Sequence, residues 1–164
     1  MKIKSVILLF ALALSLSAFA GGKYAGVPKK YHALLDRAMV TAGGNAKELK
    51  KALKEVPASE REGMAFLISY MPERDAKTLT ADFLKEHVQY AYKARNEFPW
   101  AKAVPNDIFL NDVVAYVNLN EERESWRKDF YERFKKYVAQ CKTMREAIDS
   151  VNKNIRDEVQ VDYN

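Results

Sequence analysis

Few residues in this chain of 164 could support nucleophilic chemistry. It contains one cysteine, Cys141, and two histidines, His32 and His87. A cysteine enzyme needs a thiolate, a histidine that moves the proton and an acid that orients the imidazole. Cys141 has only Lys142 as a cationic sequence neighbour, and no local pattern pairs it with His87. The sequence thus gives little support to a cysteine enzyme built around Cys141. That hypothesis would require unusually fast alkylation of the thiol near neutral pH.

Other kinds of site have even less sequence support. There is no HExxH motif, no pair of cysteines or histidines at ligand spacing and no Asp-rich calcium loop, so we predict no metal and no cofactor. The two glycines Gly43 and Gly44 close a predicted helix and do not form a phosphate cradle. We interpret the acidic cluster Glu121, Glu122 and Glu124 as a solvated turn that favours the start of the following helix.

Large aromatic side chains are a further candidate for binding. They could line a groove for a carbohydrate or a peptide, and they could equally be core residues, because aromatics at helical spacing usually pack inside. The candidates are Tyr90, Tyr92, Phe98, Trp100, Tyr116 and Trp126.

The N-terminus predicts export. The basic segment MKIK precedes an apolar run, and Ala18-Phe19-Ala20 fits a small-x-small cleavage pattern, so we assign residues 1–20 to a signal peptide. The mature protein is expected in the periplasm or outside the cell, with no membrane association after cleavage. The full chain carries a net charge of +5, of which Lys2 and Lys4 belong to the signal peptide. Acidic residues are interleaved with basic ones throughout, which argues against a nucleic-acid partner.

Hydrophobic periodicity is helical almost throughout and predicts a mostly α, multi-helix domain. The segment from 96 to 107 contains two prolines and is predicted to be an ordered loop held by Phe98 and Trp100. The last helix is expected to bury Met144, Ile148, Val151 and Ile155. Helix starts are predicted at a capping box of Ser59 with Glu62, at Thr80, and at a capping box of Thr143 with Glu146.

The C-terminal residues change their period. Val159, Val161 and Tyr163 alternate with polar residues, which indicates a possible single terminal strand. A strand without a partner leaves its backbone polar groups unpaired, so this segment is expected to begin a sheet whose other strands the chain lacks. The alternative is that the last helix continues and frays.

One part of the sequence resembles a known family. Residues 57–164 are similar to the helical region that precedes the catalytic core of bacterial exported transglutaminase-like proteins, whereas residues 21–56 carry no such resemblance. The similar segments are PASEREGMAFLISYMPERD, NEFPWAKAVPNDIFLNDVVAYVNLNEERESWRKDFYERF and the helix that runs into EVQVDYN. In the family this region precedes a papain-like core with a Cys-His-Asp set, which this chain lacks.

The resemblance implies a set of contacts at the junction with that core. Asn120, Glu121 and Arg127 are expected to make polar contacts there, with Trp126 packed underneath. From the residues alone, Trp126 could also be a simple core anchor and Arg127 a surface charge. The candidate junction residues are Asn111, Tyr116, Asn120, Glu121, Trp126 and Arg127.

Two functions other than catalysis follow from these observations. The first is an N-terminal helical accessory domain that shapes or supports a transglutaminase-like core, whose chemistry would be acyl transfer or amide hydrolysis by a cysteine. The alternative is a stand-alone exported helical module that binds a peptide, a glycan or an envelope protein without catalysis. The expected partner is accordingly the core or another exported protein.

Overall fold

The computed structural model describes residues 22–117 and 121–159 of the chain. These residues are 77% helical and include no strand, which confirms the predicted mostly α fold. A π-helical turn, Phe109–Val113, continues directly from α7. The helices are α1 (His32–Ala42), α2 (Ala46–Glu55), α3 (Arg61–Tyr70), α4 (Glu73–Thr78), α5 (Ala81–Glu97), α6 (Pro99–Lys102), α7 (Asn106–Ile108), α8 (Trp126–Val138) and α9 (Met144–Val159).

Helix boundaries mostly follow the local chemistry. Gly43 ends α1 with a φ of 55°, a left-handed conformation that favours glycine. Thr80 begins α5 as predicted, because its hydroxyl accepts a hydrogen bond from the Phe83 amide at 3.2 Å. The Thr143 hydroxyl likewise accepts a hydrogen bond from the Glu146 amide. The Glu146 carboxylate accepts from the amide of Lys142, whereas a capping box would use the amide of Thr143, one residue later.

Two local predictions are wrong. Ser59 does not cap a helix, because a 3₁₀ turn forms after Pro57 and α3 starts only at Arg61, with no side-chain cap. The predicted loop contains the helical turn α6, which Pro99 can begin because its ring is compatible with the first helical position. Phe98 is nevertheless buried and stacks on Trp100, with ring centroids 5.5 Å apart, as the holding role requires.

The main core lies between α1, α2, α3, α4 and α5, and the segment 109–116 closes it. Gly63 sits where α3 meets α5, and its amide donates to the Tyr92 hydroxyl at 3.2 Å. The fully buried residues come from each of these helices and include Leu35, Leu49, Met64, Ile68, Ala76, Leu84, Val88 and Phe109.

The helices α8 and α9 form an antiparallel hairpin, and α8 packs on α5. A second, smaller cluster joins them, in which Phe98 and Ala101 contact Tyr131, Val138 and Ala147. Polar contacts reinforce the hairpin, since the Tyr137 hydroxyl donates to Glu158 at 2.5 Å and the Ser150 hydroxyl donates to the Tyr137 carbonyl at 2.8 Å.

The buried face of α9 differs from the prediction. Met144, Ile148 and Ile155 are exposed, and Val151 is half-buried. The helix turns a neighbouring face towards α8, with Ala147 buried in the interface, because this small side chain lets the two helices approach closely.

The predicted terminal strand is not described beyond its first residue. Val159 is the last residue of α9, so the prediction that a strand starts there is wrong. At this residue the alternative, that the helix continues, is correct. Residues 160–164 lie outside the described ranges.

Replacing Gly63 by alanine is expected to lower stability. A Cβ at this position would lie 2.6 Å from Cε2 of Tyr92, so the ring or the helix must move. Alanine favours a helix over glycine by about 1 kcal/mol, whereas forcing extra volume into a packed interior costs about 1–3 kcal/mol. We expect the second effect to prevail in urea denaturation of Gly63→Ala. Gly44→Ala is the control, since nothing lies within 4 Å of a Cβ there, and equal stability of the two variants would contradict the expectation.

Candidate functional site

A buried carboxylate organises the region that contains the predicted junction residues. Asp75 of α4 is 1% exposed. Its Oδ2 accepts a hydrogen bond from the Tyr116 hydroxyl at 2.8 Å. Arg123 donates from Nε to Oδ1 at 3.0 Å and from Nη2 to Oδ2 at 2.9 Å, which is the bidentate geometry that a guanidinium makes with a carboxylate. Asp75 therefore joins α4, the segment after the π turn and the segment before α8.

The charge of Asp75 is compensated by these partners. Burial raises the pKa of Tyr116, and the adjacent Asp75 carboxylate raises it further, so the phenol stays protonated and donates. The same carboxylate raises the pKa of Arg123 through its hydrogen bonds. A buried charge is tolerated when it is paired and hydrogen-bonded, and both conditions hold here.

A buried histidine makes the next contact along the same segment. His87 of α5 is completely buried, and its Nε2 lies 3.0 Å from the Glu124 carbonyl oxygen. A carbonyl can only accept, so Nε2 carries the proton in this bond. Rings of Phe83, Tyr116 and Trp126 surround the imidazole at centroid distances of 4.5, 6.2 and 5.6 Å.

The surroundings of His87 keep it neutral at physiological pH. Burial lowers its pKa to about 4, and the positive charge of Arg127 contributes to the shift. The second ring nitrogen, Nδ1, is buried and has no hydrogen-bond partner within the part of the chain that the structure describes. A neutral imidazole with this proton assignment links α5 to the segment before α8 but is poorly placed to act as a base near neutral pH.

Trp126 and Arg127 complete the attachment at the start of α8. The Trp126 indole donates from Nε1 to the Tyr116 carbonyl at 2.9 Å. Arg127 donates from Nη2 to the Ala115 carbonyl, and its guanidinium carbon lies 4.5 Å from the centre of the Trp126 ring. Burial lowers the pKa of Arg127 to about 10, so the group remains charged at neutral pH. The sequence allowed Arg127 to be either a junction contact or a surface charge, and these contacts exclude the surface charge.

A cleft of about 860 Å³ opens beside this attachment. Four of the six predicted junction residues line it, namely Asn111, Glu121, Trp126 and Arg127. Tyr116 lies behind the cleft wall, on Asp75, and Asn120 is outside the described residues. The volume falls in the range of small-molecule and peptide sites, which makes the cleft the candidate functional site.

Sequence reasoning missed three residues that build this region. His87 gave a usable signal, since it falls three residues after Leu84 and one before Val88, on the apolar face of α5. Asp75 and Arg123 gave none, because each stands in a charged segment of ordinary appearance. Their pairing spans 48 residues and exists only in the folded chain.

The structure does not bring a cysteine and a histidine together. Cys141 follows the C-terminal end of α8, where its thiol lies 3.6 Å from the Tyr137 carbonyl oxygen, and it is half-buried. His87 contacts Trp126 at the other end of this 13-residue helix, about 20 Å away by helical rise. His32 lies near the N-terminus, with Nε2 3.0 Å from the Val27 carbonyl.

Two further properties bear on the kind of site. Among the described residues, no group of three His, Cys, Asp or Glu side chains is arranged to hold a metal ion. Over the same ranges, none of the helices has both the length and the apolar character needed to cross a membrane.

Comparison of the chain with protein-family models, with curated proteins and with solved structures finds no match.

Removing the charge of Asp75 is expected to destabilise the protein strongly. Asp75→Asn leaves Arg123 without its counter-charge, and disrupting a buried pair in this way costs about 3 kcal/mol. Asp129→Asn is the matched control, because Asp129 pairs with Arg133 at the surface, where both side chains are about half exposed. We expect urea denaturation to show the loss for Asp75→Asn and almost none for Asp129→Asn. Equal effects of the two substitutions would show that the Asp75 pair is not special.

His87 is expected to make stability depend on pH between about 4 and 6.5. The pKa is about 4 in the folded chain against 6.5 as the ordinary value, so the unfolded chain binds the proton more readily. The free energy of unfolding should therefore fall as the pH drops below 6.5, by about 2 kcal/mol on going from about pH 7.5 to about pH 5.

The measurement is urea denaturation at several pH values within this window. His87→Gln, which keeps a donor towards the Glu124 carbonyl, should flatten the dependence. His32→Gln removes the other histidine and should leave it in place. A profile that is unchanged in His87→Gln would refute the assignment.

Proposed function

We propose that this chain is a helical docking domain of an exported protein, which packs against and supports a catalytic core of the transglutaminase-like kind. The observation that carries the proposal is an apolar stripe on α9 that residues 22–117 and 121–159 leave uncovered. We define the α9 stripe as Met144, Ile148 and Ile155, which are 39, 51 and 41% exposed.

The α9 stripe is continuous along the helix. Its members are separated by four and seven residues, so they fall on one side of an α-helix. That side lies about a quarter of the circumference away from Ala147, which packs in the small cluster with α8. A helix with two adjacent apolar faces can lie between two packing partners. One face of α9 contacts α8, and the other is available to a second protein surface.

Covering the α9 stripe would favour association. Complete burial of an isoleucine or methionine side chain stabilises by about 1.5–3 kcal/mol, and each of these three keeps a large part of its surface in water. Single exposed apolar residues are ordinary on protein surfaces, whereas an aligned set of three is typical of an interaction surface. The partner's contact surface is accordingly expected to be apolar.

The α9 stripe is held in a fixed position relative to the main body. Tyr131 packs on Phe98 in the small cluster, and Tyr131 also donates to Glu97 of α5. At its start, α8 is anchored through Trp126 and Arg127 to the carbonyls of residues 115 and 116. A preformed surface loses little conformational entropy on docking, which suits a domain that supports another one.

The identity of the partner comes from the resemblance of residues 57–164 to the region before transglutaminase-like cores. The resemblance includes Trp126 and Arg127, whose contacts fix the α8–α9 hairpin, and it includes the helix that bears the α9 stripe. In this proposal the chain itself supplies no catalytic group, and the chemistry belongs to the core.

A stand-alone binding module is the second candidate function. The observation that favours it is the cleft of about 860 Å³, which such a module could use without any catalytic partner. A cooperative, reversible melt of a monomeric protein that binds no hydrophobic dye would favour the module over the docking domain.

Photo-cross-linking in the native host tests the docking proposal. A photoreactive phenylalanine analogue placed at Ile148 should form an adduct with a protein segment that belongs to a Cys-His-Asp transglutaminase-like core, in the same polypeptide or a separate one. The matched control is the same analogue at Val40 of α1, which is 83% exposed and lies far from α9 in sequence. Mass spectrometry of the cross-linked peptides identifies the partner. Adducts at position 148 no more abundant than at position 40, or formed only with a second copy of this chain, would exclude the proposal.

A further inference from the structure

We propose that the cleft beside Trp126 and Arg127 binds a basic peptide segment, with lysine or arginine side chains held at an acidic rim and their apolar parts on the cleft floor. This inference does not depend on the docking proposal, because it concerns a different surface and a different ligand.

The floor of the cleft is apolar. Val113, Val117, Trp126 and Phe130 contribute side chains to it. Phe130 is 42% exposed and meets Trp126 edge to face at 5.5 Å, so part of its ring is open to an occupant. Aromatic surface of this kind accommodates the aliphatic stems of lysine and arginine, which carry a charge only at their ends.

The rim of the cleft is acidic. Four carboxylates lie among its lining residues, those of Asp112, Glu121, Glu122 and Glu124, against the one arginine, Arg127. The side chains of Asp112, Glu122 and Glu124 are exposed and form no ion pair with any residue that the structure describes. Several like charges close together raise the local negative potential, which attracts cations into the cleft.

The acidic rim contrasts with the net charge of the whole chain. The whole sequence carries a net charge of +5, and many of its acidic residues outside the cleft are paired with a lysine or arginine. Examples are Asp36 with Lys23, Glu62 with Lys30, Glu73 with Lys77, Glu55 with Lys85, Asp129 with Arg133 and Glu158 with Lys136. The three exposed rim carboxylates of Asp112, Glu122 and Glu124, set beside an apolar floor, are complementary to a cationic ligand.

Arg127 does not cancel the charge of the rim. Its guanidinium donates to the Ala115 carbonyl and lies over the Trp126 ring, so it is committed to the cleft wall. By fixing Trp126 it keeps the floor in shape. Anionic ligands such as nucleic acid or phosphate esters would meet the four carboxylates first, which makes them poor occupants.

The choice of a peptide over a glycan follows from the same charges. A neutral sugar would use the aromatic floor but would offer no positive charge to the exposed carboxylates of Asp112, Glu122 and Glu124. A segment that alternates basic and apolar residues satisfies the rim and the floor together, and a volume of about 860 Å³ accepts several residues.

The experiment measures binding of a fluorescein-labelled probe peptide, GKLKFKG with a C-terminal amide, to the mature chain by fluorescence anisotropy. A second probe, GQLQFQG, keeps the length and the apolar residues but removes the charges. We expect the lysine probe to bind at least about tenfold more tightly than the glutamine probe, and its affinity to fall when salt is raised, because exposed charges are screened over about 8–10 Å.

Two variants with the same change in net charge locate the site. The double variant Glu122→Gln with Glu124→Gln should weaken binding of the lysine probe about tenfold. Each ion pair lost at the exposed rim has a small effect, and the loss of two adds up to this change in affinity. Glu73→Gln with Glu132→Gln removes two carboxylates that do not line the cleft and should leave binding unchanged. Phe130→Ala, at an exposed position, should weaken binding of both probes through loss of the floor.

Equal affinity for the two probes would overturn the proposal, because the lysine charges would then contribute nothing. Equal effects of the two double variants would also overturn it, because the attraction would then not be specific to the cleft. Binding of chitotetraose that is unaffected by the Glu122 and Glu124 substitutions would assign the cleft to a neutral glycan. Circular dichroism melts check that the variants fold. Cross-linking at Ile148 should be unchanged in the cleft variants, so failure of this inference is distinguishable from failure of the docking proposal.

Discussion

Asp75 imposes a constraint that much of this structure satisfies. An ionised carboxylate with almost no access to water is stable only if charged or polar partners replace the lost hydration. Two of its partners, Tyr116 and Arg123, come from other parts of the chain, 41 and 48 residues away, and the adjacent Arg74 lies 3.6 Å from Oδ1. The ion pair consequently holds the segment before α8 against the main helical body. Any conformation that released Arg123 would leave the buried carboxylate with only the Tyr116 hydroxyl and a longer, 3.6 Å contact with Arg74.

Attachment of the α8–α9 hairpin follows from this constraint. Once Arg123 is fixed, the Glu124 carbonyl reaches His87, and Trp126 reaches the carbonyl of Tyr116. The guanidinium of Arg127 then lies between the Trp126 ring and the Ala115 carbonyl. Polar contacts thus hold one end of the hairpin, while the apolar cluster around Phe98 and Tyr131 holds its middle.

Two unlike surfaces result from this attachment. The α9 stripe is apolar and exposed, because the close contact through Ala147 turns a different face of α9 towards α8. The cleft is apolar at its floor and acidic at its rim, because the segment that carries Arg123 also carries Glu121, Glu122 and Glu124. Arg123, which anchors the segment, therefore lies in the same short stretch of sequence as the glutamates of the cleft rim. The first surface suits an apolar protein partner and the second a cationic peptide.

Local chemistry in the sequence was enough to predict the helical class, the caps at Thr80 and Thr143 and the end of α1 at Gly43, since each depends on neighbours a few residues apart. The family resemblance, and not local chemistry, directed attention to Trp126 and Arg127, and it did not specify the contacts that they make. The sequence did not reveal the pairing of Asp75 with Arg123, and it led to the wrong buried face for α9. Both depend on which distant helix surfaces meet, and that is decided by the shape and charge of the whole packed chain. The periodicity of α9 identified an apolar side correctly, but only the tertiary structure determined that Ala147 would face α8 while Ile148 and Ile155 stayed in water.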